Sequence, residues 1–156
     1  MHKVQPDVGA LVAWKLRAKE KEFQFINGMA ANDPVSTLQI WKFVSDRYQN
    51  KNKSCIFFNS RDDRPLRTNQ MIELTLKDIK PDNFIIRGNK IQTVVDKFIF
   101  HSPSTIVKII KLNDALDDAI DLIKDLPSKS LIYAIGNQVG AGQEILEKIS
   151  KLKYHD

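Results

Sequence analysis

The sequence has a single cysteine, Cys55, among its 156 residues. That excludes an internal disulfide and a cysteine-based zinc cage, and it suits a reducing compartment. No run of 18 apolar residues occurs, so no membrane span is expected. Met1 to Pro6 is polar and the apolar patch from Val8 to Leu16 is interrupted, so no signal peptide is read. The three histidines, His2, His101 and His155, are scattered, and no Ser-His or Cys-His pairing suggests itself. Nowhere does G-x-x-x-x-G-K-[ST] occur, so no P-loop is encoded.

What is present is ordinary for a globular protein: 42% hydrophobic and 28% charged residues, with a net charge of +5. One domain over 1–156 is expected, large enough to bury about two-thirds of its unfolded surface. The basic excess is spread through small clusters, Lys15 to Lys21, Lys51 to Lys53 and Lys148 to Lys153, with acidic residues between them. This reads as solvated surface, not a phosphate track, and no nucleic-acid partner is expected. Asp114, Asp117, Asp118, Asp121 and Asp125 read as an exposed acidic helix face, not a metal site.

Patterning places the elements. Leu11 to Arg17 and Glu22 to Asn27 read as a hairpin. Asp33-Pro34 is a helix start, because a carboxylate caps free N–H groups and proline tolerates the first helical position. Leu38, Trp41, Val44 and Tyr48 then share one face of a helix ending near Asn50. Ser54 to Phe58 is a short apolar strand, and Pro65 opens a second helix. Asn83 to Ile86 is a strand stopped by Gly88, and Ile91 to Phe98 a helix. No element is assigned from there to Asn113, which is expected to cap a helix carrying Leu116, Ala119, Ile120 and Ile123 at i, i+3, i+4 and i+7. Leu131 to Ile135 is a last apolar strand, followed by a helix from Glu144 to Leu152. Apolar strands alternating with helices predict an α/β fold: a Rossmann-like, mostly parallel sheet with helices on both faces, preceded by a β-hairpin.

In such sheets ligands bind beyond the carboxyl ends of the strands. Three strand-to-helix loops are therefore the candidates. Asn27 to Pro34 is poised over a helix N-terminus, a place for an anion or a ribose, although spacing alone favours a plain cap by Asp33. Asn59 to Thr68 carries Arg61, Arg64 and Arg67 at intervals of three. Each guanidinium fork matches carboxylate or phosphate. Surface pairing with Asp62 and Asp63 is an even alternative. Gly136 to Gly142 fits neither a P-loop nor a dinucleotide fingerprint, and turn glycines suffice to explain its pattern.

Taken together the loops resemble a known family. Phe25-Ile26-Asn27-Gly28-Met29-Ala30-Ala31-Asn32-Asp33-Pro34-Val35-Ser36-Thr37 resembles the start of the C-terminal domain of the poly-γ-glutamate synthase ligase subunits, the CapB/PgsB type. Asn59 to Thr68 is similar to that family's Arg-rich loop, and Tyr133 to Gly142 to its closing Gly-Asn loop. The resemblance runs from about Pro6 to about Lys151. It implies a Mur ligase C-terminal-like fold and a share in an ATP-dependent amide ligase. ATP would convert a glutamate side-chain carboxylate into an acyl phosphate, Mg²⁺ would neutralise phosphate charge, and the amine of the next glutamate would attack.

By this resemblance Asn27, Asn32 and Asp33 would face the nucleotide. Arg61, Arg64, Arg67, Gly136, Asn137 and Gly140 would bind substrate or phosphate. The P-loop domain of such ligases is expected upstream and its motif is absent here, so this chain reads as the C-terminal part only. It would hold no metal and be inactive alone. Implied partners are glutamate and the poly-γ-glutamate chain, the upstream ATPase domain and membrane subunits of a synthase, with a homo-oligomer left open. The implied location is cytoplasmic, peripheral at the inner face of the cell membrane through those subunits. The alternatives are a stand-alone nucleotide- or acidic-metabolite-binding module and a nucleic-acid-associated basic protein.

Overall fold

In the computed structural model, which describes residues 12–31, 33–48, 53–61, 63–89 and 91–155, Lys19 and Glu20 turn the chain with φ of 51° and 63°. Two successive residues with positive φ give a hairpin turn whose twist matches that of the flanking strands. Those strands are β1 (Val12–Ala18) and β2 (Lys21–Asn27), paired antiparallel with Ala18 opposite Lys21. Then follow α1 (Pro34–Arg47), β3 (Ser54–Asn59), α2 (Pro65–Leu74), β4 (Asn83–Arg87), α3 (Gln92–His101), β5 (Ile106–Ile110), α4 (Leu116–Lys124), β6 (Leu131–Gly136) and α5 (Ala141–Ser150).

The six strands form one sheet in the order β1-β2-β6-β3-β4-β5. Every pairing after the hairpin is parallel. The expected architecture is therefore the observed one. β3 and β6 lie in the middle and are apolar between their ends, because both their faces are covered. Alternate residues go to opposite cores. Ile56 and Phe58 meet Trp41, Met71 and Phe98 under α1, α2 and α3. Cys55 and Phe57 meet Ile123, Ile145 and Ile149 under α4 and α5, where Phe25 of the hairpin joins them.

Three details differ from expectation. Asn113 does not cap α4. Ala115 stands at that position, where its methyl can accept nothing, while the nearby carboxylate of Asp114 closes an earlier turn by accepting the Lys111 N–H at 2.8 Å. β5 occupies the stretch left unassigned; it is an edge strand with Ile106 and Lys108 exposed, so its pattern is broken by solvent. The helix α2 also runs on into a π-helical turn, Thr75–Ile79, closed by Lys80 in the left-handed region. Smaller shifts fall at helix ends: α1 ends at Arg47, and α5 begins at Ala141.

Candidate functional site

β2 and β3 flank β6 on either side, both parallel to it, so the carboxyl ends of all three share one edge of the sheet. Each is followed by a loop and then a helix. The three loops converge there on a single cleft of about 250 Å³.

The first loop is shaped from within. Asn27 Oδ1 accepts the Met29 N–H at 3.0 Å, and the Gly28 N–H donates to the Ala134 carbonyl at 2.8 Å. Gly28 is required because a Cβ there would run into the ring of Tyr133. That ring is itself fixed: its hydroxyl donates to the Thr37 carbonyl at 3.1 Å, and it stacks on Trp41. The result delivers Met29 and Ala30 to the cleft. Asp33 caps α1, its Oδ1 accepting the Ser36 N–H at 2.9 Å. That bond holds its carboxyl below the usual range. Asn27 and Asp33 therefore shape the loop around the cleft and do not line it, while Asn32 lies outside the described residues.

The second loop supplies the charge. Ser60 is tied to the Arg87 carbonyl through both its N–H and its hydroxyl, each at 2.9 Å. Arg61 follows and grips Asp63. Pro65 starts α2, whose first turns carry Arg67 and Thr68. Arg61, Arg64 and Arg67 all line the one cleft. Asp62, the other acidic residue of the loop, lies outside the described residues.

The third loop is the closing wall. Gly136 turns the chain with φ of 102°, where a side chain would strike the Asn59 carbonyl and the Phe58 ring. The Asn137 N–H donates to the Asn59 carbonyl at 2.7 Å, and Asn137 Oδ1 accepts the Val139 N–H at 3.2 Å. Gly136, Asn137, Gln138 and Val139 line the cleft. Gly140, with φ of 69°, stands outside the lining as the N-cap of α5.

The cleft thus has an apolar floor, Met29, Phe58 and Met71, beneath three guanidinium groups. Leu66 and Val139, 72% and 75% exposed, bring apolar side chains to the same edge. Such a surface suits an anion with an aliphatic or planar body: a carboxylate or phosphate for the arginines, the remainder on the methionines and Phe58. Among the described residues no three His, Cys, Asp or Glu side chains gather to hold a metal ion.

Several lining residues were not singled out from the sequence: Met29, Ala30, Phe58, Asn59, Thr68, Met71, Gln138 and Val139. Some carried a signal. Arg64, Arg67, Thr68 and Met71 stand at i, i+3, i+4 and i+7, the spacing of one helix face.

Residues 13–152 match the family of the poly-gamma-glutamate synthase CapB C-terminal domain. The chain is 32% identical over 152 residues to PGA synthase CapB of Bacillus subtilis, covering 95% of this chain and 38% of that protein. It is 28% identical over 149 residues to the capsule biosynthesis protein CapB of Bacillus anthracis, covering 96% of this chain and 32% of that one. The chain therefore spans about a third of the length of these curated relatives. In fold it is similar to MurF ligase from Thermotoga maritima, solved in complex with ADP, with a TM-score of 0.53, 11% identity and coverage of 97% of this chain and 32% of that one. The family match spans most of the chain, and the chain belongs to the poly-γ-glutamate synthase CapB C-terminal domain family.

Proposed function

We propose that this chain is the C-terminal, substrate-closing part of an ATP-dependent amide ligase that adds glutamate to a poly-γ-glutamate chain. The observation that carries the reading is the cleft itself, three arginines over an apolar floor at the carboxyl edge of a Mur ligase-like sheet. Membership of the CapB family and similarity to PGA synthase CapB support it.

In this reading a side-chain carboxylate oxygen of the polymer end takes the γ-phosphoryl group of ATP, and ADP departs. The amine of an incoming glutamate then attacks the acyl carbon. The C–O bond breaks, phosphate leaves with that oxygen, and the amine loses a proton as the amide forms. Two anionic partners must be held together for this, which solvent-exposed repulsion resists. Arg61, Arg64 and Arg67 offset the repulsion and orient carboxylate or phosphate oxygens, so the contribution of this chain is positioning. Mg²⁺, which screens phosphate charge in such transfers, is assigned to ligands in the upstream ATPase domain. Among the described residues no helix is long and apolar enough to cross a membrane; contact with the membrane is a proposal carried by the family reading alone and is assigned to partner subunits.

The test follows one oxygen atom. The complete ligase polypeptide is given ATP, Mg²⁺, a poly-γ-glutamate primer and glutamate, both labelled with ¹⁸O in their γ-carboxylates. Each bond formed is expected to place one ¹⁸O in the released phosphate. Polymer growth with unlabelled phosphate would overturn the acyl-phosphate route.

A further inference from the structure

The strand β4 ends in a charge that the fold buries. Arg87 is 8% exposed. Among the described residues no ion pair includes it. Its Nε–H finds no acceptor there either. Burying a cation under those conditions is costly. Its remaining contacts show what the position achieves. Nη1 donates to Asn59 Oδ1 at 3.1 Å, and Nη2 reaches the Leu112 carbonyl at 3.4 Å.

A guanidinium can only donate. It therefore selects the oxygen of the Asn59 amide and turns the Nδ2 group the other way. That group donates to the Asn137 carbonyl at 2.8 Å, while the Asn59 carbonyl accepts the Asn137 N–H at 2.7 Å. Asn59 thus holds both sides of residue 137, one step beyond its ladder partner Gly136. Space enforces the arrangement, since a Cβ on Gly142 would collide with the Asn137 carbonyl and crowd Asn59 Nδ2. Asn137 in turn fixes Val139. Arg87 itself does not line the cleft.

We propose that Arg87 is a positioning residue: its guanidinium sets the amide of Asn59, and Asn59 holds the Asn137 loop as the closing wall of the cleft. The proposal rests on the ligase reading for what the cleft holds, and not for the geometry of its wall.

Amide hydrogen exchange on the 156-residue chain tests it. Arg87→Met removes every donor at similar length. It is expected to speed exchange at the Asn137 amide by about tenfold or more, the scale of one charge-assisted hydrogen bond. The central amides of β3 and β6, Phe57 and Tyr133, are expected to stay unchanged. Arg87→Lys keeps the charge and one donor and is expected to fall between. In an Asn59→Ala background, Arg87→Lys is expected to add nothing at Asn137, because its route is already cut. An unchanged Asn137 amide, acceleration spread evenly over the sheet, or additive effects in the double variant would overturn the proposal. Should Arg87→Met fail to fold, the Arg87→Lys and Asn59→Ala cycle gives the same decision. The readout needs no turnover, so it decides the positioning role whether or not the ligase reading holds. In the complete ligase, Arg87→Lys is expected to raise KM for the cleft's occupant more than it lowers kcat, a split that a general loss of stability does not produce.

Discussion

Arg61 holds Asp63 with both arms of its guanidinium, Nε to Oδ1 at 2.9 Å and Nη2 to Oδ2 at 2.7 Å. The pair sits in the open, with the Arg61 side chain 38% and the Asp63 side chain 62% exposed. Its hydrogen bonds hold the Asp63 carboxyl below the usual range. Surface pairing with Asp63 is the arrangement observed, and the same arginine lines the cleft. A contact screened by water adds little to folding. It keeps the guanidinium oriented, with a carboxylate as its resting partner.

Arg61→Ala and Arg64→Ala in the complete ligase are therefore expected to lower polymer synthesis by about ten- to a hundred-fold, the range of a lost charge-assisted contact in the transition state. Melting temperatures should barely move. Steady-state kinetics beside thermal melts make the comparison. Near-wild-type synthesis in both variants would remove these arginines from the site.

Much of this geometry was legible because it is punctuated. Asp33-Pro34, Pro65 and the glycines after Ile135 mark where strands hand over to helices, and the parallel arrangement does the rest. β5 was not legible: Lys108 interrupts its apolar run, and two of its five residues face solvent as an edge strand's do. Nor was Asn113's failure to cap, since two adjacent side chains of similar capping ability, Asn113 and Asp114, compete within one turn. Arg87 gave no sign at all. In the sequence it is a charge at a strand end, and only the sheet register places it opposite Asn59.

Gly28→Ala probes the first loop. The added methyl would meet the Tyr133 ring, which cannot retreat because its hydroxyl is bonded to Thr37 and its face lies on Trp41. The variant is expected to lose about 1–3 kcal/mol, the scale of an overpacked core. Tyr133→Phe alone should cost about 1 kcal/mol by losing its hydrogen bond. In a Tyr133→Leu background the penalty of Gly28→Ala should shrink, because the obstructing ring is gone. Denaturant unfolding of the single and double variants measures this; equal penalties in both backgrounds would refute the steric account.

The chain by itself is expected to release no phosphate from ATP above background. It encodes no G-x-x-x-x-G-K-[ST], so no loop cradles the β- and γ-phosphates with its lysine and hydroxyl. A phosphate-release assay on the purified 156-residue chain is sufficient. Turnover that co-purifies with the chain and disappears in an Arg64→Ala variant would show that it is not merely one part of a ligase.

Asp33 carries a pH dependence whose sign is fixed by its partners. The Ser36 backbone N–H lowers its carboxyl from the ordinary 3.8, with a smaller contribution from the charge of Arg67. A carboxyl lowered on folding stabilises the native state while ionised. That contribution is complete above 3.8 and is lost as pH falls through the folded value. Asp33→Ala removes the cap and is expected to cost about 1 kcal/mol at neutral pH. In acid the wild-type side chain is protonated and a weaker acceptor, so the same substitution should cost less. Asp33→Asn keeps an acceptor oxygen without a charge. It should retain most of the neutral-pH stability and lose less than the wild type on acidification. Urea unfolding of the three proteins at neutral pH and well below 3.8 gives the comparison. Other paired carboxylates, Glu73 with Lys77 and Lys97 among them, titrate alike in all three and cancel in the differences. A cost for Asp33→Ala that is the same at both pH values would show that the carboxylate charge takes no part in holding α1 at the cleft's edge.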